Sequence, residues 1–178
     1  MKNVKTMRRL LLTIVAAVMV FGAASAQKYC VVDSEKIFKS IEAYNSAITQ
    51  LDELAKKYQE EVDTKYKALE TVYNNYMAQR ESLSATVQTN IENQILKEEK
   101  SIQSFQEGIF GKEGALMKRR VELIKPIQTK VFAAIEAYAK ANGFDLVIDK
   151  AMNTSLLYVG DAADHTAQII EELQKQKR

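Results

Sequence analysis

The apolar residues between Ser34 and Gly108 recur in a heptad pattern, and this segment has no glycine and no proline. Steps that alternate between four and three residues place apolar side chains on one strip of a helix, which is typical of a helix packed along another helix. The strip comprises Ile37, Ile41, Tyr44, Ile48, Leu51, Ala55, Tyr58 and Val62, followed by Tyr66, Leu69, Tyr73 and Tyr76. The pattern predicts a projecting rod, because such a helix is longer than a small domain is wide.

A second helical pattern runs from Val87 to Tyr138 and ends at Asn142-Gly143, a typical C-terminal cap. Two long helices in succession indicate a hairpin. If both arms start and finish at one body, the tip lies near the middle of the segment 34–142. We therefore expect the tip at 82–90, where Ser84 can cap the second helix.

The second arm contains four potential interruptions, Gly108, Gly111, Gly114 and Pro126. A glycine in a helix interior costs about 1 kcal/mol relative to alanine, and proline removes a backbone donor. These residues are candidates for a hinge. A packing adjustment where the two helices approach closely is an equally good explanation of the glycines.

Shorter elements flank the hairpin. The sequence predicts strands at Lys28–Val32, Phe144–Asp149 and Ser155–Val159, a turn around Asn153-Thr154, and an amphipathic helix at Thr166–Lys175 with Ile169, Ile170 and Leu173 inward. Three strands and one short helix make a small core. The fold class is therefore α+β, and we expect subunits to pool their strands in an oligomer.

The N-terminal 26 residues are typical of a secretory signal peptide. Basic residues precede an acid-free apolar run from Leu10 to Ala24, and Ala24-Ser25-Ala26 has small residues where a signal peptidase cuts. Cleavage after Ala26 would leave Gln27 first, without the cysteine that a lipoprotein requires. We expect a soluble exported protein.

Charge disfavours a nucleic-acid-binding protein. Four of the 25 basic residues and none of the 23 acidic residues precede Gln27, so cleavage changes the net side-chain charge from +2 to −2. Binding to phosphates requires a concentrated basic surface. The best basic cluster is Lys118-Arg119-Arg120 with Lys125, which a solvated helix face explains.

Little in the sequence indicates an enzyme. The single histidine, His165, lies near Asp161 and Asp164 but outside any nucleophile-elbow pattern, and a surface histidine is expected. Cys30 lies within a predicted strand, where a buried, unreactive thiol is expected. No cluster has metal-ligand spacing, so neither a metal nor a cofactor is predicted.

Four segments together resemble the Skp (OmpH) family of periplasmic chaperones. They are VVDSEKIF at 31–38, KPIQTKV at 125–131, NGFDLVID at 142–149 and DHT at 164–166. The resemblance implies a homotrimer in which helical hairpins project as tentacles from a small β-barrel body. Their cavity would hold unfolded outer-membrane proteins without ATP, and the sequence has no GxxxxGK[ST] segment. The resemblance further implies a body formed by residues 27–40 and 128–178 and a tentacle formed by residues 41–127.

Two features depart from the family. The tip region from Arg80 to Asn93 carries one basic and two acidic residues, whereas the tentacle ends of the best-known relatives are strongly basic. Contact of the tip with lipopolysaccharide or an anionic membrane is therefore doubtful. His165 also stands where relatives tend to have an aliphatic residue.

A chaperone of this kind needs adaptable apolar surface that stays exposed. The candidate client-binding residues are Tyr66, Tyr73, Tyr76 and Met77 on the outgoing arm, with Phe105, Ile109, Phe110 and Met117 on the returning arm. Those at heptad positions can instead fill the seam between the helices. Tyr76-Met77 and Ile109-Phe110 are adjacent pairs that cannot both face one seam, so one member of each should be exposed.

The principal hypothesis is a holdase for unfolded outer-membrane proteins. The alternative is a periplasmic coiled-coil scaffold that binds folded envelope partners. Client promiscuity separates them, because a holdase binds several unfolded barrels and a scaffold recognises one folded surface.

Overall fold

The computed structural model describes residues 27–152 and 155–175; the predicted cleavage after Ala26 and the predicted turn at 153–154 lie outside the described residues. The elements in chain order are β1 (Tyr29–Val32), α1 (Ser34–Lys39), α2 (Glu42–Gln79), a 3₁₀ turn (Arg80–Ser82), α3 (Ala85–Phe110), α4 (Ala115–Asn142), β2 (Leu146–Asp149) and α5 (Thr166–Lys175). Helices dominate, as the periodicity predicts.

The long helices form a hairpin. Helix α2 makes the outgoing arm, and α3 and α4 together make the returning arm that packs along it. Val62 of α2 and Ile102 of α3 are buried in the seam, and farther towards the body Leu51 packs with Ile124 of α4. The predicted helical hairpin is confirmed, and its chain reversal lies at Arg80–Leu83, at the start of the expected tip range.

Side-chain and glycine caps define the helix ends. The Asp33 carboxylate accepts a hydrogen bond from the Lys36 amide at 3.0 Å, and Ser84 Oγ accepts one from the Val87 amide at 3.4 Å. Gly143 adopts φ +68° in the left-handed region, which closes α4. The caps at Ser84 and Gly143 stand where the sequence predicts them.

One interruption was not predicted. Ser40 and Ile41 separate α1 from α2, and Ile41 has an extended backbone with φ −97° and ψ 114°. The Ser40 hydroxyl donates to the Ile37 carbonyl at 2.7 Å, a local bond that competes with helix continuation. The bend lets Ile41 pack against the body core.

The glycines end one helix and start the next. Helix α3 stops at Phe110, with Gly111 as its C-cap, and α4 starts after Gly114. A Cβ on Gly111 would lie 2.4 Å from the Glu107 carbonyl oxygen, and a Cβ on Gly114 would lie 2.3 Å from that of Ile109. The sequence placed these glycines inside a single helical arm; the chain instead breaks there because only glycine permits this close approach. Pro126 lies inside α4, which continues through it.

The body contains a two-stranded parallel sheet. β1 pairs with β2 in the register Tyr29↔Leu146 to Val32↔Asp149. On the other side of β1, Val31 donates to the Ala163 carbonyl and accepts from the His165 amide. The predicted strand at 155–159 is not formed, since Leu157 and Tyr158 lie outside the strands and are 96% and 84% exposed.

Four elements meet in the body core. Val32, Ile37, Val131 and Ile169 come from β1, α1, α4 and α5 and are almost completely buried. Ile170 and Leu173 pack against them, which confirms the predicted inward face of α5. The root of the returning arm is therefore part of the body core.

A polar network joins the start of α1 to the residue after β2 and to the start of α5. The Asp164 carboxylate accepts hydrogen bonds from Lys150 Nζ and from the Thr166 amide and hydroxyl. Thr166 Oγ1 in turn accepts from the Asp33 amide at 2.9 Å. Partial burial alone raises the pKa of the Asp164 carboxyl, but the bonds from Lys150 and Thr166 lower that pKa from 3.8 to about 2.

We expect Asp164→Asn to destabilise the protein by about 2 kcal/mol at pH 7. Because the folded-state pKa is depressed, the carboxylate stabilises the fold above its unfolded-state pKa, and this contribution is lost as pH falls through the folded value of about 2. Urea unfolding of both proteins between pH 7 and pH 2 measures the difference. Asp161→Asn, at an exposed position of the same loop, is the control. A difference that stays constant with pH would contradict this account.

A change from glycine to alanine should have opposite effects on the free energy of unfolding at different positions near the break. Gly111→Ala and Gly114→Ala each introduce a methyl group against a carbonyl oxygen, so we expect losses of about 1–3 kcal/mol in unfolding free energy. Gly108→Ala meets open space inside α3 and should stabilise by up to about 1 kcal/mol. Equal effects of all three, measured by urea unfolding, would contradict the steric origin of the break.

Candidate functional site

A shallow groove lies between the two arms near the tip, and we call it the distal groove. Its volume is about 440 Å³, and it is lined by Tyr73, Tyr76, Met77, Arg80, Glu92, Ile95 and Leu96. The side chains of Tyr73, Met77 and Leu96 are 48%, 47% and 53% exposed. A seam between two helices buries only one strip of each, so these neighbouring side chains remain open to solvent.

A buried tyrosine supports this groove. The Tyr76 hydroxyl donates to the Glu92 carboxylate at 2.5 Å, and Arg80 Nε donates to the same hydroxyl at 3.2 Å. The bond to Glu92 is the main reason that the pKa of Tyr76 is raised. The bonds connect the end of α2 to α3 across the tip, so Tyr76 holds the two walls together.

A second groove, the break groove, lies where α3 gives way to α4. Its volume is about 340 Å³, and it is lined by Leu51, Asp52, Ala55, Phe110, Gly111, Lys112, Leu116, Met117 and Arg120. Phe110 is the last residue of α3, and Met117 lies in the first turn of α4. Both side chains are exposed, so the groove spans the break with apolar surface from each side.

The adjacent pairs behave as the sequence predicts. Tyr76 and Ile109 are buried in the seam, whereas Met77 and Phe110 are exposed. Whether the exposed members contact a client stays a prediction.

The other candidates differ in accessibility. Tyr66 and Tyr73 are exposed beside the seam although they occupy heptad positions, and Met117 is also exposed. Phe105 is partly buried, with Lys65 Nζ 4.8 Å from its ring centroid. Five of the eight candidates therefore offer open apolar surface, namely Tyr66, Tyr73, Met77, Phe110 and Met117.

Sequence reasoning missed Leu96 and Val121. Leu96 follows Ile95, which faces the seam, so the argument applied to the other adjacent pairs would have found it. Val121 occupies a position in the second helical pattern, which predicts burial, yet it is about half exposed. Past the break, the position of α4 relative to α2 decides which residues are covered, and periodicity alone does not contain that information.

His165 and Cys30 both have structural surroundings. The His165 ring is partly buried, with Nδ1 2.8 Å from the Tyr138 hydroxyl and its centroid 4.8 Å from that of Phe144. His165 is therefore less exposed than the predicted surface position, because it packs against Tyr138 and Phe144, which precede it by more than 20 residues. Cys30 is buried as predicted, and burial raises the pKa of its thiol.

Two kinds of feature are absent from the parts of the chain that the structure describes. Within residues 27–152 and 155–175, no group of three or more histidine, cysteine or carboxylate side chains could hold a metal ion. Among the helices of the same residues, none combines the length and the apolar character needed to cross a bilayer.

The body exposes a further set of apolar side chains. Tyr29 and Leu146 are register partners in the sheet, and both are 56% exposed. Phe132 of α4 is similarly exposed, and Leu157 and Tyr158 are almost fully exposed. Exposed apolar residues in this number are typical of an interaction surface.

Comparison with known proteins supplies the family. A structure from Caulobacter crescentus, described as a candidate outer membrane chaperone (OmpH-like), superposes with a TM-score of 0.64 at 12% sequence identity, covering 86% of this chain and 88% of that one. At this identity the match shows a shared fold. No curated protein matches the chain. Residues 28–173 match the family described as outer membrane protein (OmpH-like). The chain therefore belongs to the OmpH-like family.

Proposed function

We propose that the protein is an ATP-independent holdase chaperone of the periplasm. It binds unfolded outer-membrane proteins between helical hairpins and prevents their aggregation. The observation that carries this proposal is the exposed apolar surface of the two grooves, together with membership in the OmpH-like family. The predicted signal peptide supports the location.

The grooves suit a ligand without fixed structure. They are shallow, and their exposed side chains include Met77 and Met117, whose flexible thioethers adapt to different surfaces. Tyr73 and Phe110 add aromatic area on rigid side chains. Such a surface binds apolar segments of many sequences with modest affinity each, and several weak contacts along one client add up.

The proposed active form is a homotrimer with a shared β-barrel. A two-stranded sheet is marginal on its own, and this body leaves Tyr29, Leu146, Leu157 and Tyr158 exposed. Residues 156–159 have strand-forming side chains but lie outside the described strands. Pairing of this segment with another copy would complete the sheet and cover the apolar residues.

The glycine break is the proposed hinge of each hairpin. Gly111 and Gly114 separate two helices of the returning arm, while α2 continues past them. Bending at this point would change the opening between hairpins and admit clients of different size. Gly108 and Pro126 lie within helices, and we assign them a smaller part in this motion.

Size-exclusion chromatography with light scattering tests the function. We expect residues 27–178 to elute as a trimer and, after dilution with a urea-unfolded outer-membrane barrel protein, to gain the mass of one soluble client. A stable oligomer that leaves the client to aggregate would instead favour the scaffold. A monomer would contradict the shared barrel.

Matched variants locate the binding surface in the same experiment. Replacing both Met77 and Leu96 by serine should weaken client binding about tenfold, because each side chain is already about half covered and gains only part of the about 1.5–3 kcal/mol of full burial, roughly 0.7 kcal/mol each. Val72→Ser is the control, since Val72 is similarly exposed on α2 but does not line the distal groove. Equal losses in both proteins would argue against this groove.

A further inference from the structure

The break groove has an apolar floor and a cationic rim. Lys112 and Arg120 line it together with the exposed ring of Phe110 and the exposed thioether of Met117. The surface continues past Met117 and Arg120 into a hollow of about 330 Å³ that Val121 and Lys125 help to line. Asp52 is the one carboxylate in the two linings, so three cations face a single acid.

Within the part of the chain that the structure describes, neither Lys112, Arg120 nor Lys125 forms an ion pair. Arg119, by contrast, pairs with Glu122 at 3.0 Å. An unpaired cation beside apolar surface attracts a carboxylate from a ligand without first breaking an internal bond, and the apolar floor binds the uncharged part of that ligand.

We propose that the break groove selects segments of unfolded polypeptide in which apolar side chains are flanked by aspartate or glutamate. This inference rests on the proposed chaperone function and names the class of client segment that one site prefers. Charge complementarity carries it, since the groove is cationic in a chain whose predicted mature form is net negative. The distal groove, where Arg80 already contacts Glu92, has no such preference.

A bound segment would also touch both sides of the break. Phe110 belongs to α3 and Met117 to α4, and Leu51 of α2 also lines the groove. A ligand in contact with all three helices couples its binding to the angle at the break. The site is thus placed where occupancy and hairpin shape influence each other.

Two peptides of equal length test the selectivity. They share one apolar core and carry either aspartate or lysine flanks, and their binding to residues 27–178 is measured by fluorescence anisotropy. Exposed ion pairs contribute little each, so we expect the acidic peptide to bind about threefold to tenfold more tightly at low salt. The preference should shrink in 0.5 M salt, where charges on the surface are screened.

Charge-reversal variants assign the preference to the groove. Lys112→Glu, Arg120→Glu and Lys125→Glu together should reverse it, and the corresponding glutamine substitutions should abolish it. The control combines Lys67→Glu, Lys97→Glu and Lys100→Glu, which change the net charge equally at exposed positions outside the groove. All six positions are exposed, and circular dichroism verifies that each variant folds.

Several outcomes would overturn the inference. Equal binding of both peptides, binding of neither, or reversal by the control variant would each do so. Binding to phosphatidylglycerol vesicles that depends on the groove, without a peptide preference, would assign the cations to lipid instead. Suppression of barrel-protein aggregation is measured alongside, so a wild-type protein that holds clients but shows no preference refutes this inference alone.

Discussion

Two helices packed side by side can bury only one strip of each, and this constraint shapes the whole molecule. Along the hairpin, Val62, Ile102 and Ile109 occupy that strip and are nearly inaccessible. Other apolar side chains on the arms have no third layer to cover them. The exposed Tyr73, Met77 and Phe110 are therefore a consequence of the architecture, and they form the surface that a holdase requires.

A small hydrophobic core in the body anchors the two arms. Val32, Ile37, Val131 and Ile169 are buried together, so the roots of the hairpin are fixed by the same core that holds the sheet. Hydrogen bonds around Asp164 join segments that are distant in sequence. In the described structure, the break at Gly111 and Gly114 interrupts the helical layer that faces α2, whereas α2 itself continues past it.

Local signals in the sequence predict much of this structure. The heptad spacing indicates the hairpin, and Asp33, Ser84 and Gly143 mark helix ends through interactions with residues nearby in the chain. The pair Ile109-Phe110 predicts one exposed side chain for the same local reason. Most of these features depend on contacts within a few residues.

Features that depend on distant contacts were not predictable. His165 packs against Tyr138 and Phe144, which precede it by more than 20 residues. The described part of residues 155–159 forms no strand, because a strand needs a backbone pairing partner that a local pattern does not specify. The glycines in the sequence indicate a possible interruption of the helix. The close approach of Gly111 to the Glu107 carbonyl and of Gly114 to the Ile109 carbonyl is visible only in the structure. The basic cluster at Arg120 and Lys125 is visible in the sequence, but its position beside Lys112 and the apolar lining of the break groove is visible only in the structure.

In the proposed holdase, the exposed apolar residues beside the seam hold unfolded clients. Site-specific photocrosslinking tests this role, with a photoreactive phenylalanine analogue at Tyr73, at Phe110 or at the exposed polar Thr64 on the opposite side of α2. The account predicts adducts with an unfolded outer-membrane barrel protein from Tyr73 and Phe110, few from Thr64, and none once the barrel has folded. Equal adducts from all three positions, or adducts only with a folded partner, would contradict it.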